Sequence, residues 1–356
     1  MKTTKTVYAG NVAIGGGHRV TVQSMLNIPL TQTEAVLHSI RLLEEEGCEI
    51  IRASVPDEDA AEAIKIIAPQ MHVPLVADIH FNHRLAIASV KNGVSKLRIN
   101  PGNIGGKEKI KEVCSCLKDY GIPVRIGING GSVEKDILAK YGHVCAEALV
   151  ESAERSIAYF NEFDYDNIVV SIKASDVPTT YSANKLFSSK YDYPLHLGIT
   201  EAGASLSGIV RSAAGIGALL LEGIGDTIRV SLTGDPVQEV TVGKELLCAC
   251  GLRNEGVHIV SCPTCARCKT DTLSIVNFLK EHTRHIKQPV TAAVMGCVVN
   301  GPGESKEADV GVACGDGKAA LFKNGEIYKT IKTEDIAQAL LDEIESIAKE
   351  KEKAEK

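Results

Sequence analysis

Tryptophan is absent from this chain, and aromatic residues of every kind make up only 4% of its 356 residues. It has no basic block, and the formal net charge is −6. A nucleic-acid binder ordinarily carries a cationic face with stacking rings, so no nucleic-acid partner is expected. No apolar run is long enough to cross a membrane, and the opening MKTTKTVYAGNVAIGGG lacks a signal-peptide core. No membrane association is expected. Eleven cysteines, an odd number, without a secretion signal point to reduced thiols and a cytoplasmic location rather than a disulfide framework. Hydrophobic content of 44% is enough to bury a large core, and the length suggests two or three domains.

From Val20 to about Cys250 short β-branched runs alternate with longer helical stretches. The strand candidates are 20–24, 49–54, 74–80, 96–102, 123–129, 167–175, 194–201 and 227–234. Several open just after proline, where a strand loses no ladder donor. Eight strand–helix units over about 230 residues predict a (β/α)8 TIM barrel. A doubly wound sheet is the competing solution, but no GxGxxG turn follows the first strand. The only glycine cluster, Gly15 to Gly17, precedes that strand and reads as a turn in a hairpin.

Side chains on a strand alternate between its two faces. One parity is apolar (Leu97 and Ile99; Val124, Ile126 and Ile128; Val170 and Ile172) and should meet the surrounding helices. The other carries Arg52, Asp78, His80, Arg98, Asn100, Arg125, Asn129, Lys173, Thr200, Arg229 and Ser231. An ordinary barrel lumen is filled by Val, Ile and Leu. Five cations pointing inward need a counterpart, and the strands offer only Asp78 and Glu201. Internal salt bridges are one answer. A phosphate or diphosphate ligand, held at the C-terminal strand ends, is the answer that balances the charge.

After Cys250 the pattern changes to a small α+β domain. Strands are expected at 257–261 and 289–296, a type I′ hairpin at Asn324-Gly325, and a closing helix with Thr333 as N-cap. The expected division is 1–252 for the barrel and 253–356 for this second domain. It contains Ser261-Cys-Pro-Thr-Cys-Ala-Arg-Cys-Lys269, with Cys297 and Cys314 downstream. Zinc ribbons pair two CxxC knuckles, and the second is missing. Cys262, Cys265 and Cys297 fall just after strands, where thiolates can converge on an iron–sulfur cluster. Cys268 makes a CxxCxxC run that could itself supply three ligands, so spacing alone leaves iron–sulfur, zinc and no metal open.

The segments "VADIHF", "LRINPGNIG", "SIKASD", "PLHLGITEAG", "EGIGDTIRVSL", "SCPTC" and "GCVVNGPGE" closely resemble the bacterial 4-hydroxy-3-methylbut-2-enyl diphosphate synthase family. The likeness runs from about Val7 to the final helix and matches the compact two-domain form. It implies a TIM barrel joined to a small α+β iron–sulfur domain, with a [4Fe–4S] cluster held by Cys262, Cys265, Cys297 and Glu304. Cys268 departs from that pattern and leaves the fourth ligand open. A carboxylate is a harder and weaker ligand for iron than a thiolate, so it can leave one iron open. The implied substrate is 2-C-methyl-D-erythritol 2,4-cyclodiphosphate, and the donor a reduced flavodoxin or ferredoxin. Arg52, Arg98, Arg125, Lys173 and Arg229 would clamp the diphosphate, with Glu201 as a candidate for relaying a proton and Glu304 beside the reacting centre. A homodimer with its active site between subunits is also implied. A pteridine-type phosphate-binding barrel and a barrel with a zinc-stabilised interaction module are the competing readings.

Overall fold

A computed structural model of the chain describes residues 2–200, 203, 205–298 and 306–355. The chain divides into two compact units, Met1–Leu252 and Arg253–Lys356.

The first unit opens with an antiparallel hairpin, β1 (Val7–Ala9) and β2 (Val12–Ile14). It turns at Gly10-Asn11, so the glycine cluster Gly15 to Gly17 follows the hairpin instead of turning it. Eight parallel strands come next: β3 (Thr21–Met25), β4 (Ile50–Ser54), β5 (Leu75–Ile79), β6 (Lys96–Ile99), β7 (Val124–Asn129), β8 (Ile168–Lys173), β9 (His196–Leu197) and β10 (Thr227–Ile228). They pair in sequence from β3 to β8, while β10 joins β3 to β9. A bridge between Val170 and Leu195 brings β8 to β9, giving a nearly closed barrel. Each strand is followed by an outer helix, and several of these start from side-chain caps. Asp57, Asn82, Asp176 and Asp235 each accept a first-turn amide.

The apolar parity forms one continuous core with the helices, including Leu97, Ile99, Ile126, Val170 and Leu197. The hairpin residues Val7, Ala9 and Ile14 cluster with Ile50, Val76 and Val169, the inward positions at the N-terminal ends of β4, β5 and β8. That apolar plug closes the bottom of the lumen and leaves the polar positions above it. Strands β9 and β10 are much shorter than the expected 194–201 and 227–234. Their regular pairing stops where Gly198 meets the Lys173 side chain and the Arg229 carbonyl at close range.

The second unit is a five-stranded sheet in the order β11 (Val257–Ser261), β12 (Val290–Met295), β13 (Val310–Cys314), β14 (Lys318–Lys323) and β15 (Glu326–Lys332). The first three are parallel and the last two antiparallel. Helices Thr272–His282 and Ile336–Glu355 bury Leu279, Ile336, Leu340 and Ile344 against one face of the sheet. Asn324 and Gly325 both have positive φ, at 49° and 81°, as a type I′ turn requires. Thr333 does not cap the closing helix. It begins a short 3-10 turn, Thr333–Asp335, and its hydroxyl is buried with no partner among the described residues. The α-helix proper starts at Ile336 because that turn, not a capping side chain, leads into it.

Candidate functional site

Parallel register brings the polar parity to one level of the barrel. Asp78 lies opposite Ser54 on β4 and Arg98 on β6, and Arg98 lies opposite Arg125 on β7. Asn129 pairs with Lys173 at the top of β7 and β8. Arg52, Asp78, Arg98, Asn100, Arg125 and Lys173 are all buried; Arg229, Ser231, Asn129 and Thr200 are partly so, and His80 is exposed. Glu201 lies outside the described residues.

The carboxylates are already spoken for. Asp78 Oδ1 accepts from Arg98 Nη1 at 2.9 Å, and its Oδ2 lies 3.7 Å from Arg52 Nε and 3.6 Å from His80 Nε2. Burial alone would raise the Asp78 pKa, but His80, Arg52, Arg98 and Arg125 together hold the carboxyl far below the usual range. Arg229 pairs with Glu239 at 3.0 Å. Strand reading missed Glu239 because it sits on the helix Pro236–Ala249, from which it also accepts the Ser24 hydroxyl and the Leu232 amide.

A sixth inward cation also escaped notice. Lys96 shares the parity of Arg98, two residues upstream, and is fully buried with no partner for its Nζ among the described residues. Six cations (Arg52, Lys96, Arg98, Arg125, Lys173 and Arg229) therefore face two carboxylates among the described residues. The excess falls on Arg125, whose Nε and Nη1 have no described partner, and on Lys96. Burial, then Arg52 and Arg98, push the Arg125 pKa well below its ordinary value; burial and then Arg125 do the same to Lys173. Arg52 is lowered to about 10, chiefly by burial. Such shifts mean that the charged forms are strained here, and an anion would relieve all of them at once.

Two glycines make the room. A Cβ at Gly127 would stand 2.7 Å from Arg98 Nε, and one at Gly198 would stand 2.6 Å from Lys173 Nζ. Both lie on the inward parity, so the missing side chains let the cations lie flat across neighbouring strands. Asn100 is committed locally. Its Oδ1 accepts from Gly102 N at 3.1 Å, capping the short helix Pro101–Ile104, and its Nδ2 donates to Ser132 at 2.9 Å. Thr200 Oγ1 is buried without a described partner.

In the second unit the cysteines gather beyond the ends of adjacent parallel strands. Cys262 follows β11 and Cys297 follows β12, separated from it by Gly296. The Gly296 amide donates to Cys262 Sγ at 3.2 Å, and a Cβ at Gly296 would meet Cys268 Sγ at 2.4 Å. The Cys268 thiol also lies 3.1 Å from the Thr270 carbonyl and 3.3 Å from Thr272 Oγ1. Cys265 is exposed, and the Arg267 amide lowers its pKa. Burial pushes Cys314 up to about 11, with Cys268, Cys262 and Cys297 adding to the shift. Among the described residues no three Cys, His, Asp or Glu side chains lie close enough to hold a single metal ion. A polynuclear cluster spreads its ligands more widely than one ion does, and soft thiolates at strand ends are the donor chemistry it takes. The donor set fits a cluster better than a lone zinc. Glu304 lies outside the described residues.

Two family descriptions match the chain, the GcpE TIM-barrel domain over residues 4–244 and the GcpE protein C-terminal domain over residues 258–346. A protein of Caldanaerobacter subterraneus subsp. tengcongensis named 4-hydroxy-3-methylbut-2-en-1-yl diphosphate synthase (flavodoxin) is 55% identical, covering 98% of each chain. One of the same name from Thermodesulfovibrio yellowstonii is 52% identical, covering 96% of this chain and 98% of its own. Among solved structures, type I 3-dehydroquinate dehydratase of Clostridium difficile superposes with a TM-score of 0.51 at 14% identity, covering 71% of this chain and all of that one. That last likeness speaks for the barrel fold alone.

Proposed function

Because the chain belongs to the GcpE family, we infer that it is a 4-hydroxy-3-methylbut-2-en-1-yl diphosphate synthase, an oxidoreductase of isoprenoid precursor synthesis. The reaction opens the ring of 2-C-methyl-D-erythritol 2,4-cyclodiphosphate at a C–O bond and expels one hydroxyl as water. Two electrons and one proton enter: the broken ring C–O bond frees a phosphate oxygen as an anion, the proton turns the departing hydroxyl into water, and a C=C bond forms, giving (E)-4-hydroxy-3-methylbut-2-enyl diphosphate. Six inward cations against two described carboxylates are the observation that carries this reading. A cyclic diphosphate supplies two of the missing negative charges.

Arg125 and Lys173 would take the diphosphate oxygens first, since neither has a carboxylate of its own within salt-bridge distance among the described residues. Arg52, Arg98 and Arg229 would approach with orientations already fixed by Asp78 and Glu239. This arrangement binds the ring and steadies the diphosphate as it becomes a leaving group. His80, Asn129, Thr200 and Ser231 would add hydrogen bonds, and Glu201 would handle a substrate hydroxyl proton. Cys262, Cys265, Cys297 and Glu304 would hold a [4Fe–4S] cluster. When bound, that group supplies single electrons and Lewis acidity. A reduced flavodoxin is the donor that the relatives' name points to, and ferredoxin is its alternative. The active unit would be a cytoplasmic homodimer with each site made by two chains.

Anaerobic protein with about four irons and four sulfides per chain, given reduced flavodoxin and the cyclodiphosphate, should release the linear hydroxybutenyl diphosphate. Iron-loaded, reduced protein that leaves the ring intact would overturn the assignment.

A further inference from the structure

Beneath the arginines lies a polar layer that the proposed reaction does not use. Lys96 and His196 are both fully buried, and neither Lys96 Nζ nor either ring nitrogen of His196 has a hydrogen-bond partner among the described residues. His196 lies opposite Thr227, and Thr227 opposite Thr21, whose hydroxyls are likewise buried without described partners. The apolar hairpin plug closes the barrel below. Such a set is not an ordinary core, because each buried polar group left alone carries a desolvation cost. It needs something to answer to.

The charged neighbours decide what. Arg52 on β4, Arg98 beside Lys96 on β6, Arg125 on β7, Lys173 on β8 and Arg229 on β10 are cations. Asp78 on β5 and Glu239 on the helix after β10 are carboxylates that already hold arginines, and the buried Asp226 just before Thr227 accepts the Leu195 amide and the Thr4 hydroxyl. Strand β3 offers only neutral Thr21 and Gln23. Lys96 and His196 thus meet repulsion from above and, among the described residues, no carboxylate beside them.

We propose that Lys96 and His196 form a protonatable floor under the anion socket, which takes up protons from solvent when the cyclic diphosphate enters the ring of cations above. The idea rests on the functional reading given above. In the empty barrel burial, and then the nearby charge of Arg125, press both groups toward their neutral forms. Two negative charges arriving overhead cancel most of the positive potential that the five cations and two described carboxylates leave, which favours the protonated form of both bases. The floor thereby spares the unliganded barrel two buried charges and supplies them when the ligand needs them. Because the bound state holds more protons, affinity should fall as pH rises, by about tenfold per pH unit for each proton taken up.

The test is calorimetric. The cyclodiphosphate is titrated into cluster-loaded enzyme without reductant, near pH 8, in buffers of differing ionisation enthalpy. Each phosphorus of this ring carries one ester and one anhydride link and so a single strongly acidic oxygen that is already ionised there, so any uptake is the protein's own. The expected result is uptake of about one proton or more per site, reduced by about half or more in Lys96→Met or His196→Gln. Removing a buried amine that has no described hydrogen-bond partner should also leave ligand-free Lys96→Met at least as heat-stable as the parent. Binding without proton uptake, or uptake unchanged in both variants, overturns the floor and leaves the synthase reading intact. Failure of the ring to bind at all overturns the anion socket, and the floor with it.

Discussion

At the level of single residues, the cations divide into those with a described carboxylate and those without. Asp78 spreads one negative charge over Arg52 and Arg98, and Glu239 serves Arg229, while Arg125, Lys173 and Lys96 have no carboxylate among the described residues. Replacing Asp78 by Asn should therefore cost about 3 kcal/mol of stability in the absence of ligand. Thermal unfolding would show it, and the loss should shrink when the cyclodiphosphate is added. An unchanged midpoint without ligand would mean that Asp78 does not hold the arginines. The sign of its pH dependence follows from the depressed carboxyl. The stabilisation is present at neutral pH, where the carboxylate is charged in both states. It is lost only as acid falls below the ordinary carboxylate value toward the folded one. Sequence alternation made most of this residue pattern legible. Lys96 was readable by the same rule, two places before Arg98. Glu239 was not, because a helix residue four positions past Asp235 reaches the lumen only through the three-dimensional winding of the barrel.

Among the elements, glycines and strand ends matter most. Gly198→Ala would drive a methyl group against Lys173 Nζ and the Arg229 carbonyl, only 2.8 Å away. Backbone cannot retreat as a side chain can, so ligand affinity should drop by about tenfold or more. Calorimetry on the folded variant measures this, and wild-type affinity would show that the strands have room to spare. β9 and β10 were overestimated because the residues continue an apolar–polar alternation past Leu197 and Ile228, where the regular ladder ends. In the second unit the hairpin was legible from Asn324-Gly325 because only that pair suits two successive positive φ values. The cysteine-bearing turns were legible as strand ends, but spacing could not tell Cys268 from its neighbours. Cys268 Sγ is engaged by Thr270 and Thr272, whereas Cys262 and Cys297 extend from adjacent parallel strands. Cys297→Ser should lose the visible absorption and the bound iron, and Cys268→Ser should keep both. Iron analysis of the two variants decides it; the reverse result would reassign the ligands.

For the whole molecule, counting eight strand–helix units was enough to foresee the barrel, because each unit announces itself locally. A site shared between two chains would leave no comparable mark in a single sequence. If each site draws its barrel from one subunit and its cluster from the other, mixing Arg125→Ala and Cys297→Ser proteins should restore about a quarter of wild-type turnover. Half the dimers would then be mixed, each with one intact site. No recovery after verified subunit exchange would place the whole site within one chain.

Equilibrium binding of the cyclodiphosphate to oxidised, cluster-loaded enzyme, wild type against Arg125→Ala, bears most directly on the cationic socket. A guanidinium with no described counter-ion, buried among other cations, should cost about tenfold to a hundredfold in affinity when removed, with the visible spectrum of the cluster unchanged. Affinity within about twofold of wild type would contradict the claim that this barrel was built around an anion.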